Sequence, residues 1–291
     1  VKAAADHLLT EVYISLGEYD KAIQSATNVI DSGLYRLMTE RFGVNKNKPG
    51  DVFSDLFLEG NMNRSSGNME TIWVWQYDEY ALGGSSTVGG NQMVRGWLPF
   101  MVQLTDPAGK LGMALNVDTL GRGVGICRPT TYFLYDLWKD NWNNDIRNSK
   151  YNIKRDFWYN NPQSTYFGKK VEAKKTDLDT LQRIYPYIRK VEGKAWQDKL
   201  TSGRTSKDYI VYRLAETYLL RAEAHLLKGE KKLAADNINE VRIRSKAKPV
   251  DEADVDIDYI LDERARELIS EEPRRRTLMR MGKLVERVKK Y

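Results

Sequence analysis

Hydrophobic and polar residues alternate with a helical period near both ends of the chain. In the first segment, two sets of apolar residues mark the facing sides of two helices: Leu9, Val12, Tyr13 and Leu16, then Tyr19, Ala22, Ile23, Ala26 and Ile30. A later segment repeats the pattern: Val211, Leu214, Tyr218, Ala222 and Leu226, then Ala234, Ile238 and Val241. Spacings of three and four residues are typical of amphipathic helices, so each segment is predicted to be a helix pair.

Each predicted helix pair turns at a glycine, Gly17 in the first and Gly229 in the second. The motif "GEYDKAI" at residues 17–23 is similar to the turn and second-helix start of a tetratricopeptide repeat. Tandem repeats of that kind recur about every 34 residues, whereas these two glycines are 212 residues apart. The spacing therefore indicates a helical scaffold that carries a long insertion.

The chain is accordingly predicted to be mainly α, with tetratricopeptide-like helix pairs and an insertion of loops and short strands. Residues 1–40 form the first helix pair, residues 41–205 the irregular aromatic-rich insertion, and residues 206–291 the C-terminal helical scaffold. We expect these parts to form one compact domain.

The C-terminal region contains one further strong helical pattern. It begins at Asp256 or Asp258, either of which can cap a helix. Pro273 is expected to end or kink it, with another short helix from about Arg276. Pairs of Arg266 with Asp262 or Glu263 are interpreted as surface pairs of small energetic value.

Aromatic residues are concentrated in the insertion. The segment "TIWVWQY" at residues 71–77 alternates like a strand, and both of its tryptophans, Trp73 and Trp75, are predicted to lie in the core. Trp138 is also assigned to the core, while Trp142 and Trp196 fit either a core or a surface position.

The chain has 7 Trp and 17 Tyr, many of them close to Asn, Gln and Arg. Flat apolar rings next to planar polar groups are what sugar binding requires. The candidate ligand-binding residues lie in predicted loops: Tyr77, Tyr80, Arg95, Trp97, Trp158, Tyr159 and Asn161. For the last three, anchoring of the loop in the core remains the alternative.

Other chemistries have little support in the sequence. Cys127 is the only cysteine, which excludes an intrachain disulfide, and it is expected to be a small buried residue. Two histidines cannot build a His-rich metal site. Asp145 with Arg147 is interpreted as a structural pair, and Glu216 and Glu223 as members of ion pairs. We therefore expect no catalytic residue, metal or cofactor.

The net charge of +6 is concentrated at the C-terminus, where residues 274–291 hold eight Lys or Arg against one Glu. These cations are typical of a solvated helix end, where they suit the helix dipole. A contact with acidic lipid head groups or an acidic partner is the alternative. Nucleic acid is not an expected partner.

Several motifs together resemble the SusD/RagB family. The stretch "VYRLAETYLLRAEAHLLKGEKKLAADNINEVRIRS" at residues 211–245 is similar to the family's C-terminal signature, and "ILDERARELISEEPRRRTLMR" at residues 260–280 to the motif that follows it. "SLGEYDKAIQSATNVIDSGLYRL" and "RPTTYFLYDLW" match upstream in the expected order. Pro273 stands where the family usually has glycine, and Thr277–Leu278 where it has a more aromatic sequence.

The resemblance implies a lipid-anchored protein on the outer face of the outer membrane in Bacteroidetes. Such proteins bind oligosaccharides, cover a TonB-dependent transporter of the SusC type and are not enzymes. The family's signal peptide and lipidated cysteine are expected to lie outside this chain. A helical-repeat scaffold that binds a peptide or protein without sugar affinity remains the alternative. A glycosidase is disfavoured because no pair of acids is compelling.

Overall fold

The computed structural model describes residues 1–79, 81, 89–114, 122–172, 179–198 and 200–291. The fold is mainly helical, as predicted. The α-helices are α1 (Lys2–Leu16), α2 (Tyr19–Ile30), α3 (Val52–Leu56), α4 (Met93–Trp97), α5 (Thr131–Leu134), α6 (Leu214–Leu227), α7 (Lys231–Arg244), α8 (Ile257–Leu268), α9 (Arg274–Arg280) and α10 (Leu284–Lys290). The strands are β1 (Thr71–Trp75), β2 (Ile153–Lys154), β3 (Tyr187–Ile188) and β4 (Tyr209–Arg213).

The two predicted helix pairs are present and pack against each other. Gly17 follows α1 with φ 76°, and Gly229 lies in the turn after α6 with φ 87°. Both values fall in the left-handed region, which glycine adopts at little steric cost. Helix α2 lies against α6, and the fully buried Ala22 allows their backbones to approach closely.

Helix α8 packs on the second pair and begins where the sequence predicts. The backbone N–H of Tyr259 donates to Asp256 Oδ1 at 2.7 Å, so Asp256 rather than Asp258 is the capping residue. The helix ends at Leu268, ahead of Pro273. A shared core of buried side chains joins α6, α7 and α8: Ala215, Leu219, Ala222, Ala234, Ala235, Ile238, Val241, Ile260 and Leu268.

The insertion is connected to the C-terminal scaffold by a two-stranded antiparallel ribbon. Strand β1 pairs with β4, in a register that places Thr71 opposite Arg213 and Trp75 opposite Tyr209. A second core lies within the insertion and contains Trp138, whose exposed fraction is 1%. The prediction of a buried Trp138 is confirmed, and Trp196 is likewise buried.

Cys127 differs from its prediction, since it is exposed instead of buried. Its backbone N–H donates to Gly96 O at 2.9 Å, which holds the loop along the surface of α4. The neighbouring Ile126 is also exposed. Backbone hydrogen bonding, not side-chain burial, therefore determines the path of this loop.

A buried cluster of arginines and carboxylates connects the ribbon, the insertion and helices α7 and α8. Glu267 is fully buried, and its carboxylate accepts hydrogen bonds from Arg213 of β4, Arg244 of α7 and Arg147 of the insertion. Arg147 also forms a bidentate pair with Asp145, with Nη2–Oδ2 at 2.7 Å and Nε–Oδ1 at 2.9 Å. The structural role predicted for Asp145 and Arg147 is confirmed.

Of the two pairs predicted on the surface of α8, Glu263–Arg266 forms but is buried, and Asp262–Arg266 is replaced by other partners. Glu263 is fully buried and accepts from Arg147 Nη1 at 2.7 Å, Arg242 Nη1 at 2.7 Å and Arg266 Nε at 2.9 Å. Asp262 instead accepts from Arg287 Nη1 at 2.6 Å. The face of α8 that carries Glu263 is turned toward the arginines of the insertion and α7, which the sequence of α8 alone does not reveal.

Five of the eight cations in the basic C-terminal segment are ion-paired within the chain, which corrects the prediction of a solvated helix end for these five, whereas Arg275, Lys289 and Lys290 are exposed as predicted. Arg274 pairs with Glu272 in the preceding loop, and the other cations pair with carboxylates of α1, α6 and α8: Arg276 with Glu11, Arg280 with Glu223, Lys283 with Asp258, and Arg287 with Asp258 and Asp262. On α6, Glu216 pairs with Arg264 of α8, so the predicted interhelical ion pairing of Glu216 and Glu223 is confirmed. Within the described ranges, no helix is long and apolar enough to cross a membrane.

Substitution Glu267→Gln tests the buried cluster. Removing this charge deprives the guanidinium groups of Arg147, Arg213 and Arg244 of a shared negative partner. Breaking a buried ion pair in this way costs about 3–5 kcal/mol. We expect urea titration to show a loss of that order in the free energy of unfolding. Asp236→Asn is the control, because the Lys232–Asp236 pair is exposed and pairs of that kind contribute at most about 1 kcal/mol. Equal effects of the two substitutions would contradict this role of Glu267.

We expect acid to destabilise the fold by protonating buried carboxylates that are ion-paired in the folded state. Burial alone raises the pKa of Glu216, but the hydrogen bond from His7 and the charge of Arg264 outweigh it and hold the pKa at about 2, below the ordinary 4.5. Burial likewise opposes ionisation of Glu267, and Arg244, Arg213 and Arg147 outweigh it to hold its pKa well below 4.5. A carboxyl with a lowered folded-state pKa stabilises the protein above its unfolded pKa and loses that stabilisation as pH falls toward the folded value.

We therefore expect the free energy of unfolding to be nearly constant from pH 7 to about 5 and to fall steeply below about 4.5. The Glu216 shift alone corresponds to about 3 kcal/mol. Denaturant titrations at a series of pH values measure the curve, and Glu216→Gln should make its acid limb shallower. An acid limb unchanged in Glu216→Gln would argue against the contribution of Glu216.

Candidate functional site

A groove of about 1140 Å³ lies between the β1–β4 ribbon, α4, α5 and the C-terminal helices α8–α10. Its walls are mainly aromatic and aliphatic. The aromatic lining residues are Trp75, Tyr77, Trp97, Tyr132, Phe133, Tyr209, Tyr212 and Tyr291. A concave, largely apolar surface of this size is typical of a ligand-binding site.

The ribbon forms one wall of the groove. Trp75 of β1 and Tyr77, just beyond the strand, line the groove, while Val74 packs against the α3 core. Opposite Trp75 is Tyr209, with ring centroids 5.8 Å apart and planes inclined by 36°. The pair forms a broad aromatic surface that faces the groove.

Trp73 and Trp75 are not core residues, which corrects their prediction. Their exposed fractions are 47% and 52%. The physical reason is that β1 has one strand neighbour, β4, and buries the side that carries Val74. Both faces of this strand are apolar, so alternation alone does not identify which one is covered.

Helix α4 forms a second wall and places Trp97 in the groove. Antiparallel backbone hydrogen bonds between Asn91 and Thr205, 2.8 and 3.0 Å long, fix the chain just before the helix. Asn91 Oδ1 also accepts from Met93 N at 2.8 Å. Gln92, which lies between these residues, is exposed at the groove and offers both a donor and an acceptor.

A stacked pair of tyrosines forms the wall at the C-terminal helices. The rings of Tyr132 and Tyr291 are 3.7 Å apart between centroids and inclined by 24°. Tyr132 Oη donates to Asp262 Oδ2 at 2.6 Å. Burial and this hydrogen bond raise the pKa of Tyr132, so the phenol remains protonated and neutral at physiological pH.

Most charged groups at the groove are neutralised by partners in the same chain, whereas Arg128 donates to a backbone carbonyl, Thr180 O, at 3.0 Å. Glu271 accepts from Arg213 Nε at 2.6 Å and pairs with Lys190 Nζ at 2.5 Å. Arg287 lies between Asp258 and Asp262, with its nearest oxygens 2.7 and 2.6 Å away. Because these charges are already compensated, the groove is suited to a ligand that carries no net charge.

Two of the predicted ligand-binding residues, Tyr77 and Trp97, line the groove. The backbone N–H of Tyr77 donates to Asp208 Oδ1 at 2.9 Å, which holds the end of β1 against β4. Tyr80 lies outside the described residues. Arg95 is half-buried outside the groove lining, with Nη1 3.4 Å from Ser202 O.

The predicted residues of the 158–161 segment lie away from the groove. Trp158 is exposed, whereas Tyr159 is 3% exposed and packs in the core of the insertion, 6.0 Å from Tyr166 between ring centroids. Burial raises the pKa of Tyr159. Asn161 Nδ2 donates to Leu111 O at 2.6 Å, which uses its amide to hold the loop. Loop anchoring therefore describes Tyr159 and Asn161, and Tyr159 is not available to a ligand.

Sequence reasoning missed most of the aromatic groove residues. Trp75, Tyr132, Tyr209, Tyr212 and Tyr291 come from separate elements that only the folded chain brings together. A signal was present for Trp75, since the alternation in residues 71–77 places it on the same face as the predicted Tyr77. Over the described part of the chain, no group of three or more His, Cys, Asp or Glu side chains is arranged to hold a metal ion.

The fold is similar to several solved structures. Surface glycan-binding protein A from Bacteroides thetaiotaomicron, in complex with laminarihexaose, matches with a TM-score of 0.64 at 19% identity, covering 97% of this chain and 54% of that one. Surface glycan-binding protein A from Bacteroides fluxus matches with a TM-score of 0.60 at 21% identity, covering 97% and 52%. A laminarin-binding SusD-like protein matches with a TM-score of 0.61 at 21% identity, covering 98% and 55%.

These likenesses establish a shared fold, and the chain spans about half the length of the structures it matches. Among curated proteins, the sequence has no significant match. The model of the SusD family matches residues 128–291, which is more than half of the chain and includes helices α5 to α10. The protein belongs to the SusD family.

Proposed function

We propose that the protein is a cell-surface glycan-binding protein that holds a neutral oligosaccharide in the aromatic groove. The observation that carries this proposal is the combination of exposed aromatic rings and internally compensated charges in one groove. Pyranose rings present flat CH faces to aromatic side chains, while their hydroxyls need planar polar groups. Trp75 supplies such a ring and Gln92 such an amide.

A β-glucan of the laminarin type is the first ligand to test. Two solved structures with this fold are described as bound to laminarihexaose or as laminarin-binding. Their identity to this chain is 19% and 21%, so the choice of glycan rests on these relatives and not on individual groove residues. The groove itself supports a neutral sugar chain as the ligand class.

The remaining parts of the proposal come from family membership. The protein captures glycan at the cell surface, anchored to the outer membrane through a lipidated cysteine outside this chain. It passes the sugar to a TonB-dependent transporter of the SusC type. It binds without catalysis.

A peptide-binding helical scaffold is the competing function, and one observation favours it. Helix α1 exposes a stripe of apolar side chains, Leu8, Leu9, Val12 and Leu16, at spacings that suit an amphipathic partner helix. Binding measurements on variants of the groove and of α1 separate the two functions. A sugar ligand depends on the aromatic groove, whereas a helical peptide depends on α1.

Substitution Trp75→Ala tests the groove. Removing a half-exposed ring that stacks on sugar should weaken laminarihexaose binding by about ten-fold or more, equivalent to about 1.4 kcal/mol. Isothermal titration measures the change. Trp158→Ala is the matched control, because this tryptophan has a similar exposed fraction, 50% against 52%, and lies outside the groove lining.

We expect Trp158→Ala to bind laminarihexaose like the unsubstituted chain. If neither laminarihexaose nor other neutral oligosaccharides of a glycan array bind, the proposed function is wrong. If Leu9→Asp on α1 abolishes capture of an amphipathic peptide while no sugar binds, the scaffold function is supported instead.

A further inference from the structure

A second exposed aromatic surface lies outside the groove lining, at the end of α5. The rings of Tyr135 and Trp142 are nearly parallel, with planes inclined by 10° and centroids 6.2 Å apart. Each residue is 42% exposed. These two nearly parallel rings, both open to solvent, form an exposed apolar surface, which we call the platform.

Arg155 supports this platform from one side. Its guanidinium carbon is 4.8 Å from the Trp142 ring centroid and 5.9 Å from that of Tyr135. The two ring centroids are themselves 6.2 Å apart, so the guanidinium lies beside the pair and not between the rings. This position is favourable because the guanidinium charge interacts with both π faces.

Hydrogen bonds hold the supporting groups in place. Arg155 Nη2 donates to Leu134 O at 2.7 Å and to Asn148 Oδ1 at 2.6 Å, and Nη1 donates to Asn148 O at 3.2 Å. Buried Asn148 also donates through Nδ2 to Trp142 O at 2.8 Å. The platform is therefore organised before any ligand arrives, which reduces the entropy lost on binding.

The same contacts define the ligand chemistry. Nη1 and Nη2 of Arg155 donate to neutral acceptors of the protein and its Nε is buried, so the guanidinium supports the rings and does not direct these N–H groups at a uronic acid or phosphate. The surface that remains is two ring faces, and the exposed polar side chains Asn143 and Asn144 follow Trp142 in the chain. Flat rings bordered by amides suit a neutral pyranose.

The platform is close in sequence to the groove. Tyr132 lines the groove, and Tyr135 follows three residues later at the C-terminal end of the same short helix α5. One extended sugar chain held in the groove can therefore continue toward the platform along α5.

We propose that Tyr135 and Trp142 form a second sugar-stacking site, which engages a pyranose of a long neutral glycan whose other residues occupy the groove. This inference rests on the proposed glycan-binding function and adds a chain-length preference to it. Short oligosaccharides fill the groove alone, whereas longer ones also gain the platform contact.

The test compares laminaritriose with laminarihexaose by isothermal titration on the full chain. Trp142→Ala and Tyr135→Ala should each weaken laminarihexaose binding by about five-fold or more and leave laminaritriose binding unchanged. Trp75→Ala should weaken both sugars, because it removes a groove contact. Trp158→Ala, which removes an exposed tryptophan outside both surfaces, is the matched control and should change neither.

Thermal unfolding of each variant checks that it is folded, and Trp142→Phe, which retains a ring, should recover most of the hexasaccharide affinity. Unchanged hexasaccharide binding in both Trp142→Ala and Tyr135→Ala, together with weaker binding in Trp75→Ala, overturns the second site and leaves the groove intact. Equal losses for the tri- and hexasaccharide overturn the chain-length preference. Absence of any sugar binding by the unsubstituted chain overturns the proposed function and this site with it.

Discussion

The buried contact of Glu267 with Arg147, Arg213 and Arg244 is the interaction on which the rest of the structure depends. Its members come from the insertion, strand β4 and helices α7 and α8, so one carboxylate connects segments that are far apart in sequence. Burying these charges is unfavourable unless each is compensated. Lys190 adds a further link by donating to Glu267 O at 2.6 Å. The arrangement requires all of these segments to be in place together.

The charged cluster positions one wall of the groove, because Arg213 of the cluster belongs to strand β4. Arg213 ends the strand and is held by Glu267 and Glu271, which fixes the ribbon relative to α8. Tyr209, earlier on the same strand, donates its hydroxyl to Glu271 O at 3.0 Å. Its ring then meets Trp75 across the ribbon. The aromatic wall is thus rigid because it is attached to the charged cluster, while its exposed face remains apolar and neutral.

Local features of the fold could be predicted, and features that depend on distant partners could not. The helix pairs follow from apolar spacing and from Gly17 and Gly229, and the start of α8 follows from Asp256, because these signals act within a few residues. The exposure of Trp75 depends instead on its pairing with Tyr209 and on which face of β1 meets the α3 core. The same limitation applies to the candidate site. Tyr77, Trp97 and Tyr159 are all aromatic residues in predicted loops, yet Tyr77 and Trp97 line the groove and Tyr159 is buried.

The basic C-terminal segment limits what the groove can bind. The positive net charge of this segment would attract an anionic partner. However, Arg276 contacts Glu11, and Arg287 lies between Asp258 and Asp262. An anionic ligand would have to compete with these carboxylates, which are already part of the packing between α1, α8, α9 and α10. A neutral ligand meets no such competition and gains from contact with the rings. The charges that stabilise the scaffold therefore also favour an uncharged ligand over an acidic one at this wall of the groove.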